Sequence, residues 1–185
     1  MTSRSTHGAL AVLSASFLTA SLLAMPVAAQ DSRSAALAKE LTDLLGQKKL
    51  DSVAAKHPAA PDQFVAALFF PGQLIVITAR TTAPAVVNEK LVRREFREVY
   101  VDLNSASIPE SRVMITDGGA DGLRARREPN QPFDSQDSGG KSVRFNGNWR
   151  EQKMSEQDYM KGFTQADEAY VAALQALVAE LKKAS

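Results

Sequence analysis

"FVAALFFPGQLIVITAR", residues 64–80, decides the fold. Two apolar runs of seven or eight residues flank Pro71 and Gly72. Proline presets φ for the first corner of a type II turn, and glycine accepts the positive φ of the second. The stretch therefore reads as a β-hairpin, with a buried helix over 62–70 as the competing assignment, because short apolar runs do not separate the two. Neither run alternates with polar residues, which predicts strands buried on both faces.

Downstream, "REVYVDLN" (97–104) alternates, placing Val99, Val101 and Leu103 on one face. "SRVMITD" (111–117) follows as a partner strand, a second hairpin. Between the hairpins, "PAVVNEKLVRREF" (84–96) predicts a helix with Pro84 in its first turn, its charged residues forming a solvated face. Upstream, "SRSAALAKELTDLLGQ" (32–47) carries Leu37, Leu41, Leu44 and Leu45 at helical spacing, with Ser34 as its expected cap and Gly46 as its stop. A short helical turn over "LDSVAAKH" (50–57) is expected to end at Pro58.

Toward the C-terminus, "RARREPNQPFDSQDSGGK" (124–141) loses periodicity and reads as a flexible loop. "VRFNGNW" (143–149) is a hairpin candidate about Asn146-Gly147. Ser155 and Asp158 form a capping box ahead of Tyr159, Phe163, Ala166, Tyr170, Leu174, Leu177 and Leu181, which recur at steps of three and four. That stripe predicts a long amphipathic helix packed within the chain; if the helix outruns the sheet, its last turns, with Leu177 and Leu181, call for a second copy or another protein to cover them. The fold class is α+β: an antiparallel sheet of four to six strands, barrel-like in the alternative, with N-terminal helices and a long C-terminal helix.

Residues 1–29 read as a signal peptide, with an apolar run from Gly8 to Met25 and Val27 and Ala29 at −3 and −1 of the cleavage site. Removing these 29 from 185 residues leaves 156, which suits one domain (residues 30–185). The leader holds one basic residue, Arg4, and no acidic one, so of 22 basic and 21 acidic residues the remainder balances 21 against 21. Such a neutral chain offers no electrostatic footprint for nucleic acid or for an anionic membrane. The expected location is the periplasm or the medium. Cysteine is absent, which removes disulfides and thiolate metal sites from consideration.

Among chemistry-bearing motifs, "ITDGGADGLRARRE" (115–128) places Asp117, Asp121, Gly122 and Glu128 at positions 1, 5, 6 and 12 of an EF-hand loop. Gly119 lacks the oxygen required at position 3, and three arginines crowd the loop, so a tight turn is the reading and no metal site is assigned. His57 is the single histidine after residue 29 and is expected to cap a helix end. Carboxylates such as Glu95, Glu98 and Asp102 are the candidates for acid–base work, and no catalytic residue is assigned. Trp149 is expected to pack beneath the long helix, or else to anchor a ligand.

The order hairpin, helix, strand, strand over residues 64–118 resembles the FMN-binding split-barrel (pyridoxamine-phosphate-oxidase-like) family. Thr78 in "LIVITAR" and Lys90 in "NEKLVRREF" are the matching positions. Ala79 stands where the family has asparagine, and the family's phosphate-binding arginine strand is not recognisable. The resemblance implies a barrel-like antiparallel sheet and, as the alternative function, a flavin-dependent oxidoreductase with FMN as cofactor. The primary reading of the residues is a non-catalytic binding or interaction module without a cofactor.

Overall fold

The computed structural model describes residues 27–46, 54–57, 60–70, 73–81, 86–87, 90–91, 96–104, 112–126, 130–145 and 147–183. Helix α1 (Val27–Gly46) is followed by strands β1 (Ala54–His57), β2 (Ala60–Phe70) and β3 (Gln73–Thr81). A small pair, β4 (Val86–Val87) and β5 (Lys90–Leu91), comes next. Strands β6 (Phe96–Leu103), β7 (Val113–Gly118), β8 (Ser135–Ser138) and β9 (Lys141–Arg144) then lead to helix α2 (Glu156–Lys183).

Seven strands form one sheet in the order β1-β2-β3-β6-β7-β8-β9, every neighbouring pair antiparallel. The sheet is open, with β1 and β9 as its edges, so the barrel-like alternative is corrected. The β2–β3 register runs from Gln63↔Arg80 to Phe70↔Gln73, which establishes the hairpin over 64–80 and displaces the helix over 62–70. The expected turn at Pro71-Gly72 lies outside the described residues.

Both helices cover one face of this sheet. Phe64, Ala66 and Leu68 of β2, Ile75, Ile77 and Ala79 of β3, Val99, Val101 and Leu103 of β6 and Ile115 of β7 point into a single core with Leu41 of α1 and Tyr170 and Leu174 of α2. The opposite face stays open: Ala67 is exposed and Phe69 is 80% exposed. The expectation that these strands are buried on both faces is therefore wrong. Apolar side chains on both faces call for two covering layers, but the helices supply only one.

The long helix forms as its pattern requires. Ser155 Oγ accepts from the Asp158 N–H at 3.0 Å and donates to Asp158 Oδ2 at 2.6 Å, the expected capping box. Glu156 and Asp158 sit in the first turn and Lys182 and Lys183 in the last, complementing the helix dipole. The 28 residues span about 42 Å at 1.5 Å each. Leu177 and Leu181 are each 1% exposed within the single chain, because α1 packs along α2 and Lys182 pairs with Glu40. Their burial needs no second copy.

Other expectations are corrected. Residues 54–57 are strand rather than helix, which leaves His57 at the end of β1 and not at a helix terminus. The helix expected over 84–96 is replaced at 86–87 and 90–91 by the β4–β5 pair, in register Val86↔Leu91 and Val87↔Lys90, so that cross-strand pairing overrides the helical spacing there. The span read as a loop over 124–141 contains β8, and the last hairpin turns at Gly139-Gly140. The helix cap expected of Ser34 is also absent, since α1 begins at Val27. The expected leader lies outside the described residues except for 27–29, which begin α1. No helix among the described residues is long and apolar enough to cross a membrane.

Candidate functional site

The glycine-rich stretch after β7 is organised by two buried aspartates. Asp117 lies at the end of β7 with no exposed surface. Its Oδ1 accepts from the Asp121 N–H at 3.2 Å, and its Oδ2 accepts from the Gly122 N–H at 2.9 Å and the Tyr170 hydroxyl at 2.7 Å. Asp134, 1% exposed, accepts from the Gly118 N–H at 2.9 Å and the Arg124 N–H at 2.8 Å. Together the two carboxyls satisfy backbone donors that an irregular buried segment would otherwise leave bare.

The loop also docks on α1. Gly122 has φ +97°, and a Cβ there would stand 2.4 Å from the Ala35 nitrogen, so the position demands glycine twice over. The neighbouring Leu123 N–H donates to Ser34 Oγ at 3.2 Å. The hydroxyl read as a helix cap therefore works from the helix interior, holding a loop 89 residues away.

Burial pushes both carboxyls up. Asp117 rises to about 6 despite the hydrogen bonds from Tyr170 and Gly122. Asp134 rises to about 8, through burial first and then the neighbouring Asp117 charge. Tyr170, fully enclosed beside these acids, is held well above the ordinary phenol value by burial and by the Asp117 charge. This is a buried structural cluster whose carboxyl oxygens already receive donors. Asp121 is turned to Arg124 at 2.7 Å, Glu128 lies outside the described residues, and no group of three or more metal-ligating side chains occurs among those described.

The acid–base candidates do not converge. Glu98 accepts from the Tyr100 hydroxyl at 2.7 Å and pairs with Arg80 at 3.7 Å on the open face. Asp102 pairs with Arg112, four residues further along β6 and so about 13 Å away at 3.3 Å per residue. Glu95 lies outside the described residues.

A groove of about 1070 Å³ opens between β9 and the segment that leads into α2. Phe133, Trp149 and Tyr159 line it with Arg126, Arg144, Glu151 and Glu156. Trp149 is half-buried there, with the Arg150 guanidinium 4.9 Å over its ring. Tyr159 donates to the Ala125 carbonyl at 3.1 Å, and Arg144 stacks 5.1 Å over Phe133. Beneath, Phe145 meets Phe163 edge to face at 5.5 Å, a rigid floor. The wall carrying Trp149 is held by local bonds: Met154 N–H to the Trp149 carbonyl at 3.2 Å, and Arg150 N–H to Asn148 Oδ1 at 3.0 Å. Of these residues only Trp149 is marked by the sequence as a candidate anchor. Phe133 and Arg144 fall in stretches read as loop or turn, where no periodicity marks a side chain as part of a site.

Thr78 is half-buried on the open face of β3, away from the residues that line this groove, and Lys90 lies in β5. No family profile, curated protein or solved structure matches the chain.

Proposed function

We propose that this chain is an exported, non-catalytic binding module whose ligand site is the groove between β9 and the start of α2. One observation carries the reading: the groove joins three aromatic side chains to two arginines, Arg126 and Arg144, that have no carboxylate within ion-pair distance among the described residues. Aromatic faces beside two guanidinium groups without an ion-pair partner among the described residues, Arg144 resting on the Phe133 ring, suit a ligand with an apolar body and an anionic group. The segment that carries Trp149 is already fixed by its own hydrogen bonds, Arg150 N–H to Asn148 Oδ1 and Met154 N–H to the Trp149 carbonyl, so little ordering cost falls on that wall.

Trp149 is the chain's single tryptophan and sits in the groove, so its emission reports on occupancy. Titration of the protein lacking residues 1–29 with benzoate, a nucleoside monophosphate, FMN and peptides is expected to give a saturable change with at least one probe. Arg144→Ala is expected to weaken that response about tenfold or more, the loss of a charge-assisted contact. A flat response to every probe refutes the reading. The mass of the exported form checks the other half, with Gln30 as the expected first residue.

A further inference from the structure

The groove runs along the outer edge of β9, and that edge has a defined hydrogen-bonding parity. Gly139 and Gly140 both have positive φ, 55° and 74°, which makes the β8–β9 connection a two-residue type I′ hairpin. In such a hairpin the flanking pair, Ser138 and Lys141, exchanges both backbone bonds, and alternate residues follow. Val143 therefore bonds toward β8, as does Phe145, whose N–H reaches the Asp134 carbonyl at 2.8 Å. Ser142 and Arg144 turn their N–H and C=O groups outward, into the groove.

Arg144 shows what belongs there. Its N–H donates to Gln152 Oε1 at 2.7 Å, and its C=O accepts from Gln152 Nε2 at 2.9 Å. One primary amide thus makes the two bonds that a residue of an adjacent antiparallel strand would make. Two residues back, about 7 Å along the strand, Ser142 also lines the groove, and its outward backbone groups have no protein partner among the described residues. Edge strands left in this state are templates for another strand.

We propose that the groove is a strand-addition site for an extended peptide bearing a carboxylate, with the Gln152 amide holding the place of one peptide group. The proposal rests on the binding-module reading and names its ligand class. An incoming strand gains two backbone bonds at Ser142 and takes over those at Arg144 as Gln152 swings away. Its carboxylate meets Arg126 and Arg144, the cations that lack ion-pair partners in the described chain. The volume, about 1070 Å³, lies at the upper end of ligand clefts and suits several residues.

The test uses the chain from residue 30 and acetylated heptapeptide pools, randomised except for a central Asp, Asn or Lys. The Asp pool is expected to change Trp149 emission saturably, with the Lys pool at least tenfold weaker. For the best single peptide, exchange of the Ser142 amide is expected to slow at least tenfold by NMR. N-methylation of the pairing residue should abolish that protection, and Gln152→Ala should bind severalfold tighter. Binding of small anions but of no peptide pool overturns the proposal while leaving the binding-module reading intact. No binding of any probe overturns both. Peptide binding that is indifferent to N-methylation, or Ser142 protection that appears with protein concentration alone and marks pairing with a second copy, also overturns it.

Discussion

Tyr170 and Asp117, 53 residues apart, meet in the core, where the phenol hydroxyl donates to Asp117 Oδ2 at 2.7 Å. The bond joins the middle of α2 to the turn that leaves β7, and neither residue has exposed surface. Helix, sheet and glycine-rich loop are thereby locked at one point.

Tyr170→Phe keeps the ring and deletes the hydroxyl. Asp117 then retains only its two N–H donors in a site without water access. The expected loss is about 1–3 kcal/mol, read from urea unfolding near neutral pH. A change within about 0.5 kcal/mol would show that the bond does not hold the loop to the helix.

Stability should fall as pH rises through the neutral range. The carboxyls of Asp117 and Asp134 hold protons to about 6 and about 8 in the fold, against 3.8 in an ordinary aspartate. Between these limits the native state binds more protons than the unfolded chain, so the slope is negative. Their contribution is complete below about pH 4 and is lost through 6 for Asp117 and through 8 for Asp134. The groups facing them are Tyr170, Tyr159, Asp121 and the Arg124 backbone, and none of these supplies a cation that would reverse the sign. Urea midpoints across this range check the slope. Asp134→Asn should be less stable at low pH and flatter above about pH 6; an unchanged slope removes Asp134 as its source.

Gly122→Ala tests the loop's contact with α1. The new methyl would fall 2.4 Å from the Ala35 nitrogen on a backbone at φ +97°. Overpacking and strain together are expected to cost about 2–4 kcal/mol. A variant as stable as the parent in thermal unfolding would mean that the loop and helix part easily.

Deleting residues 172–185 should abolish cooperative folding. Leu174, Leu177 and Leu181, with Val178, are nearly fully buried. At about 1.5–3 kcal/mol each, their removal rivals the whole stability of a domain, about 5–15 kcal/mol. Loss of the sigmoidal melt by circular dichroism is the expected result. A truncated chain that melts cooperatively would show that the α1–α2 contact is dispensable.

Much of the architecture was legible in local pattern. The runs on either side of Pro71-Gly72, the alternation of Val99, Val101 and Leu103, and the Ser155–Asp158 cap each specify an element from residues a few positions apart, because period and capping chemistry are local. Tertiary context decided the rest. It left Phe69 on an open face that only the placement of two helices could reveal. It brought Ser34 to Leu123 and Asp134 to Gly118, turning an apparent cap and one polar residue among many into supports for the same loop. The groove belongs to this second class. Gln152 and Arg144 are eight residues apart, and no repeat relates them. Their bonding depends on the outward parity of β9, which the turn at Gly139-Gly140 sets, and on the path by which residues 147–155 return to α2. Periodicity reports which face of an element meets the core, whereas a site assembled from loop ends depends on where those elements stand after they pack.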